Sequence, residues 1–461
     1  MLLLWLVACG DNEVVPTDPF VGLVQVSGLS PFGPDCNGNP QGGMTKHGLE
    51  AEPSLVVDPA NPHHLIGAWQ QDRWSTGGAN GLLGAASMDG GKTWTQSTAG
   101  FARCQGGAYE RATDPWLAIT PAGPAYEIGI GFDNTGPRNA VLVSRSTDGG
   151  LSWATPEVLQ QDDDPDFFND KDSITADPTM PDRAYATWDR LTGLTHPAQM
   201  IGTGPTMLSI GVGGVWDTPR GIFDPGVDAQ TIGNVFVVLP DGTLVDSFTL
   251  IGQTSAAIPT TRATVIRSTD HGVTWSGPID IAAMAPVDLL DAKHDIDIRS
   301  GAVLPQVAVD PVSGQVYVVW EDGLGGSVER IVMSTSTDAG LTWSAPVAIN
   351  PLPTVSAFGP TIAVATDGTV GVVYYDTRDD DPHDQSTFLV TAWLPTSHDH
   401  GATWSEEPLT SPFDLQPSQL GTEYFLGDYQ GLSAAGAVLV PFVAAAVSGH
   451  DPTDIFVRPV P

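Results

Sequence analysis

The sequence predicts an all-β protein built from one four-stranded unit used repeatedly. Three observations carry this. A phrase of the form Ser-x-Asp-x-Gly-x-Ser/Thr-Trp occurs five times: SMDGGKTW from Ser87, STDGGLSW from Ser146, STDHGVTW from Ser268, STDAGLTW from Ser336 and SHDHGATW from Ser397. The 52 glycines and 39 prolines of the 461-residue chain are scattered singly, as in a protein of short strands and tight turns. No window sustains a helical period of useful length. With 41% apolar residues the chain can bury a real core.

Between the boxes a second phrase recurs. It reads EPSLVVDPANPHHLIGAWQQDR from Glu52, DPWLAITPAGPAYEIGIGFD from Asp114, DSITADPTMPDRAYATWDR from Asp172, LPQVAVDPVSGQVYVVWEDG from Leu304 and GPTIAVATDGTVGVVYYDTRDD from Gly359. Each copy is a β-rich run, a Pro/Gly/Asp turn, and a second run ending in an aromatic and an acidic residue. A third strand such as AVLVSRS leads into the box, and a short fourth strand such as SAPVAI leaves it. The box therefore falls at the turn between strands three and four. There its Asp accepts backbone N–H groups, its Gly supplies positive φ and its Trp packs under the hairpin. That is turn chemistry, needed once per unit, and not five equivalent binding sites.

Four antiparallel strands recurring every 50–70 residues describe a β-propeller blade. Two further first strands, in DAQTIGNVFVVLPDGTLVDSFTLI from Asp228 and LGDYQGLSAAGAVLVPFVAAAV from Leu426, bring the expectation to seven blades, with six as the alternative. The third blade has only the degenerate box GVWDTP at 214–219, and the last has none. The last repeat stops at DIFVRPV, so FVGLVQVSGL at 20–29 is expected to add its fourth strand and close the ring. The expected organisation is a leader over 1–9, a linker and closing strand over 10–49, and one propeller domain over 50–461.

The charge balance is lopsided, 54 Asp plus Glu against 18 Lys plus Arg, a formal net of −36. Such a surface repels nucleic acid and anionic lipid headgroups and attracts calcium or cationic ligands; otherwise it is a solvated face that keeps the protein soluble. The opening MLLLWLVACG ends in Leu-Val-Ala-Cys, a lipobox-like sequence in which Cys9 would be lipidated after cleavage. The alternative is a coincidental Cys in an ordinary leader. Either way the chain is expected to be exported, as a bacterial cell-envelope lipoprotein touching the membrane through its anchor alone or as a secreted monomer. Cys36 and Cys104 then pair as one disulfide, or remain two free thiols.

In a four-stranded meander the box turns share a face with the turns between strands one and two. The opposite face collects first-strand starts and second-strand ends, and a site is expected there, at the mouth of the channel. The first-strand starts are Glu52, Asp114, Asp172, Asp228 and Asp428; the second-strand ends are Asp72, Asp133, Asp189, Asp322 and Asp376, with Arg73, Arg190 and Arg378 beside three of them. So many carboxylates cannot all ionise close together without raised pKa values, a bound cation or arginine partners. The alternative is that these residues pair between neighbouring blades and staple the ring. Two acidic runs, DDDPD at 162–166 and DDDPHD at 379–384, offer calcium oxygen ligands or are solvated loops.

The Asp boxes, the blade order and the exported character resemble the bacterial sialidase superfamily of BNR-repeat proteins, over nearly the whole chain from about residue 50. The resemblance implies a glycosidase with a Tyr–Glu nucleophile pair, an acid/base Asp and an arginine clamp on the substrate carboxylate. Carried over, it implies Tyr429 as nucleophile, in GDYQGL, and Asp72 as acid/base. Arg73, Arg190 and Arg378 are the candidate carboxylate binders, from positions unlike the family's triad. The family opens blade one with Phe/Tyr-Arg-Ile-Pro; here the place reads AEPSL, with the acidic Glu52.

Two functions are therefore expected. One is a glycan-processing hydrolase of exo-α-sialidase type acting on a glycan or glycoconjugate at the channel mouth, with no cofactor required and calcium as a possible bound ion. The other is a non-catalytic surface propeller binding glycan, protein or calcium. No P-loop, dinucleotide fingerprint, zincin helix or Gly-x-Ser-x-Gly elbow points to another enzyme class.

Overall fold

The repeated phrases fold into antiparallel meanders whose first strands are Glu50–Asp58, Arg111–Ile119, Phe167–Ala176, Ala229–Val238, Gln306–Val309, Ala357–Val364 and Gly431–Ala435. These are called the first to seventh meanders below. The computed structural model describes residues 20, 22–33, 36–37, 42–195, 203–253, 259–447 and 451–461; Cys9 and the leader expected over 1–9 lie outside them. Within each meander successive strands are hydrogen-bonded in chain order, and the first two meanders are joined at one edge by the pair Ala79 and Ala112. Each first strand packs against that of the next meander, and Gly431–Ala435 packs against Glu50–Asp58. The N-terminal strand Val24–Gln25 pairs antiparallel with Asp454–Val457, the outer strand of the seventh meander. Cys36 and Cys104 form a disulfide.

The boxes explain how the meanders are spaced. In the first, Asp89 Oδ1 accepts the Thr93 N–H at 2.9 Å and the Lys92 N–H at 3.1 Å, while Asp89 Oδ2 accepts the Thr93 hydroxyl at 2.7 Å. Ser87 Oγ accepts the Gly91 N–H at 2.8 Å. The same pattern recurs at Asp270, Asp338 and Asp399. These bonds to the carboxylate hold Asp89, Asp270, Asp338 and Asp399 down to about 2. The box glycine is held by two constraints. Gly150 has φ +82°, and a Cβ there would stand 2.8 Å from Ile66 Cδ1 of the preceding meander. A Cβ at Gly272 would stand 3.3 Å from Leu208 and Ile210, and one at Gly340 or Gly91 an ordinary 3.5 Å from Val245 or Val457, each on the preceding meander around the repeat, where φ rather than space is the constraint. The box is thus a spacer between neighbouring meanders. Register places Ser87 opposite Leu65 and Leu65 opposite Val57, at the end of the first strand remote from Glu52.

At the other end the first strands share a kink. Glu52, Asp114 and Lys171 have φ of 54°, 56° and 47°, and Gly233 and Gly359 have 74° and 65°. Register slips at each of these points. Glycine takes this conformation freely, whereas a residue with a Cβ sits there at a cost of roughly 1–2 kcal/mol. Three strands therefore place a charged residue where glycine would be easier. Neighbouring meanders grip these kinks: Asp189 Oδ2 accepts the Gly233 N–H at 2.9 Å, and Glu321 Oε1 accepts the Gly359 N–H at 2.8 Å. Several second-strand carboxylates are therefore staples between repeats.

The structure adds one feature outside the repeat. Ile296–Arg299, in the excursion between the fourth and fifth meanders, pairs in parallel with Glu423–Phe425, between the sixth and seventh. This departs from the purely antiparallel pattern of the repeats and carries Arg299 and Phe425 to the kinked end of the first strands.

The core lies between the meanders. Trp69, Trp188 and Trp320, at equivalent second-strand positions, are fully buried. Glu127, on the second strand of the second meander, is also fully buried, with neither carboxylate oxygen hydrogen-bonded. Burial pushes its pKa up to about 8. The folded state thus binds a proton that the unfolded chain releases near pH 4.3, so this stability is full below that pH and is lost as pH rises through about 8. Glu127→Gln is expected to exceed the wild type at pH 9 by on the order of 2–5 kcal/mol in urea unfolding and to lose that advantage at pH 5. A pH-independent difference would show that Glu127 ionises freely in the fold.

Candidate functional site

The kinked ends converge on Lys171. Its ammonium lies 2.6 Å from Asp428 Oδ2, 3.2 Å from Asp114 Oδ1 and 3.8 Å from Glu52 Oε1. These partners come from the first and second meanders and from the entrance to the seventh. Arg299 closes a bidentate pair on Asp428, Nε to Oδ1 at 2.8 Å and Nη2 to Oδ2 at 2.6 Å. Its guanidinium lies against the Phe425 ring, as does that of Arg73. Arg73 donates to Gln70 Oε1 at 2.5 Å, and the Gln70 amide donates to Glu52 Oε2 and, at 2.9 Å, to Thr113 Oγ1.

The electrostatics divide these carboxyls. Burial pushes Glu52 up to about 8, against the pull of Lys171 and with the help of Asp114 and Asp428. Burial also opposes ionisation of Asp428, but Lys171 and Arg299 outweigh it and hold that carboxylate well below its usual range. Asp172, beneath the cluster, is buried with no hydrogen bond to either oxygen, and burial and Asp114 raise it well above the carboxylate range. Lys171 loses charge preference to burial and regains more from Asp114, Asp428 and Glu52, so it stays cationic. Two carboxyls beside one ammonium are thus held in opposite protonation states at neutral pH.

The residues singled out from sequence are placed as follows. Glu52, Asp114 and Asp428 come together, and Asp172 lies next to them. Lys171, not Asp172, takes the kink position equivalent to Glu52 and Asp114, because the register slip lies between Asp170 and Ser173. In the fourth meander Gly233 takes it, and Asp228 stands before the strand. Tyr429 is 4% exposed, packs on Trp116 at 5.2 Å and donates its hydroxyl to the Pro115 carbonyl at 3.3 Å. Burial and then Glu52, Asp114, Asp172 and Asp428 raise its pKa well above 10, the opposite of what activates a nucleophile.

Asp72 is not brought to this cluster. Its carboxylate accepts the Gly48 N–H at 2.8 Å, the Ser30 hydroxyl at 2.8 Å and the Asn80 amide at 3.2 Å, and meets His47 Nδ1 at 3.1 Å. It anchors the N-terminal segment. Arg190 is paired with Asp162 and stacked on Phe167, and Arg378 is paired with Asp376 and Glu406 and stacked on Trp393. Neither converges on Tyr429; of the three arginines only Arg73 borders the cluster. Asp133 is paired with Arg138, and Asp322 accepts the Ala285 N–H at 2.9 Å. In the acidic runs, Asp162 serves Arg190 and Asp380 serves Lys293 at 2.7 Å.

Sequence reasoning missed Lys171 and Arg299. Lys171 was readable as a rare cation inside NDKDS in a chain with only 18 Lys plus Arg. Arg299 lies in a stretch with no counterpart in the other repeats. A cavity of about 320 Å³ is lined by Tyr429, Trp116 and residues of every first strand named above. An open cleft of about 500 Å³ is lined by Arg299, Glu423, Asp288 and Asp297. Arg299, with 37% of its side chain exposed, reaches both the cleft and Asp428.

No protein-family profile matches the sequence, and no curated protein matches it. Solved structures similar to the chain include the Hadza microbial sialidase Hz136, at 17% identity over 82% of this chain and 73% of that one, with a TM-score of 0.49. A protein of unknown function from Dyadobacter fermentans is similar at 15% identity over 95% and 98% of the two chains, TM-score 0.48. The GH93 α-L-arabinofuranosidase of Fusarium graminearum, in complex with arabinobiose, is similar at 12% identity over 76% and 92%, TM-score 0.49.

Replacing Lys171 by Met leaves its buried carboxylates without their cation. This is expected to destabilise the protein by about 3–5 kcal/mol at pH 8, with a smaller loss at pH 5, where the acids take up protons. Chemical denaturation at the two pH values measures it; an equal loss at both would remove the electrostatic explanation.

Proposed function

We propose that the chain is a seven-bladed β-propeller, closed by its N-terminal strand, that acts on a glycan by glycoside hydrolysis at the Lys171 cluster and the cleft beside it. The first-strand neighbours support the ring, since the seventh meander returns to the first. The single observation that carries the chemistry is the convergence of Glu52, Asp114 and Asp428 on one ammonium, an arrangement in which burial pushes Glu52 up while Lys171 and Arg299 hold Asp428 down. Hydrolysis of a glycosidic bond needs one carboxylic acid to protonate the leaving oxygen and one carboxylate to act as base or nucleophile. Glu52 is the acid in this reading and Asp428 the carboxylate. Lys171 and Arg299 keep Asp428 ionised, and Arg299 offers the cleft a guanidinium for an anionic sugar such as a sialoside or uronide. The Asp-box resemblance to sialidases supports the same class of substrate. The leader and the Cys36–Cys104 disulfide support an exported protein, anchored through Cys9 or secreted, working as a monomer.

One observation favours the second reading, a non-catalytic glycan-binding propeller. Glu52 is fully buried, and Lys171 keeps only 12% of its side chain exposed, with its charge already matched.

Fluorogenic glycosides, sialosides and uronides among them, assayed from roughly pH 4 to 9, separate the two readings. Hydrolysis is expected to fall above pH about 8 as Glu52 ionises. Glu52→Gln is expected to lower kcat by about 10²–10⁴-fold with the fold intact, and Asp428→Asn to lower kcat as far while also costing stability, because Lys171 and Arg299 lose their shared partner. No turnover across the panel, together with retention on immobilised glycans, would favour the binding reading over hydrolysis.

A further inference from the structure

A second carboxylate cluster, distinct from the Lys171 group, lies where the first meander meets the last strand. Glu50 opens the first strand of the first meander, Asp454 opens the outer strand of the seventh, and Asp451 stands just before it. One ligand oxygen of each lies within 4.8 Å of the others. Glu50 is completely buried, and neither of its carboxylate oxygens makes a hydrogen bond. Ser27 and Gln71 stand near enough to ease its burial, yet neither closes a bond of ordinary geometry. The charged groups that act on it, Asp454 and Asp451, are both negative, and burial with these two neighbours raises its pKa well above the usual range.

The surroundings are built to hold the oxygens in place. Thr453 Oγ1 accepts the Glu50 N–H and donates to the Glu50 carbonyl, both at 2.7 Å. Gln25, on the N-terminal strand, donates to Asp454 Oδ1 at 2.7 Å, and Ser27 Oγ accepts the Ile455 N–H at 2.9 Å. Gly48, at φ +73°, leaves room for Asp451: a Cβ there would stand 2.5 Å from its Oδ1. Three carboxylates with no nitrogen or sulfur ligand suit a hard divalent cation, and flexible carboxylate geometry with a partly open side suits calcium better than magnesium.

We propose that Glu50, Asp451 and Asp454 form a calcium site that clasps the first meander to the last strand and, through Gln25 and Ser27, to the N-terminal strand. The ion takes the place of the proton that burial leaves on Glu50 and supplies the partner that its oxygens lack. This site shares no residue with the Lys171 cluster and does not depend on the reaction proposed there.

The test is thermal unfolding and calorimetric titration of the full chain in EDTA, in Ca²⁺ and in Mg²⁺. Calcium is expected to raise Tm saturably and to titrate at one ion per chain, with a smaller shift in Mg²⁺ at the same concentration. Glu50→Gln removes a buried charge as well as a ligand. It is expected to melt at or above the wild type in EDTA and below it in Ca²⁺, so the order of the two proteins reverses. Asp451→Asn, at a less buried position, is expected to keep the fold and weaken calcium binding at least tenfold. Equal wild-type Tm in Ca²⁺ and EDTA, undiminished binding by both variants, or a Mg²⁺ shift as large as that of Ca²⁺ would each overturn the assignment.

Discussion

The arrangement of this protein depends on one buried cation. Lys171 takes a strained left-handed backbone position and extends its ammonium into a group of carboxylates from the first meander, the second meander and the start of the seventh. In a chain of net charge −36 such a meeting of acids would repel itself apart. With Lys171 and Arg299 in place the same acids become attractive partners. Removing one member of a buried ionic network is far costlier than never having built it, because the others are left without compensation.

The network also creates asymmetry among like groups. Asp428 receives both cations and stays ionised, while Glu52 receives the weaker share of Lys171 together with an amide from Gln70 and keeps its proton. Acid/base chemistry requires this kind of division, and here burial and unequal access to two positive charges produce it. The tyrosine beneath is affected in the opposite sense: four carboxyls surround it and none takes its proton.

Much of the fold was legible because its signals are local. The Asp box encodes a turn within eight residues, and Ser87, Asp89, Gly91 and Thr93 make the bonds that their chemistry suggests. The pairing of Val24–Gln25 with the last strand followed from counting strands in an incomplete repeat. The Lys171 cluster was only half legible. Glu52, Asp114 and Asp428 were found by their place in the repeat, but a one-residue slip at the kink hid Lys171 behind Asp172. Arg299 belongs to an excursion that no repeat predicts, and it reaches the site through a parallel pairing between segments more than a hundred residues apart. Asp72 sits at the expected strand end, yet it turns toward an N-terminal segment that reads in sequence as a mere linker. Long-range pairings of this kind leave no periodic trace.

The central claim is that Glu52 is protonated and Asp428 ionised at neutral pH within one cluster. Infrared difference spectra of the wild type against Glu52→Gln and against Asp428→Asn, recorded at pH 7, test it most directly. Glu52→Gln is expected to lose a protonated-carboxyl C=O band and Asp428→Asn a carboxylate band. Loss of a carboxylate band in Glu52→Gln, or of a protonated-carboxyl band in Asp428→Asn, would contradict it.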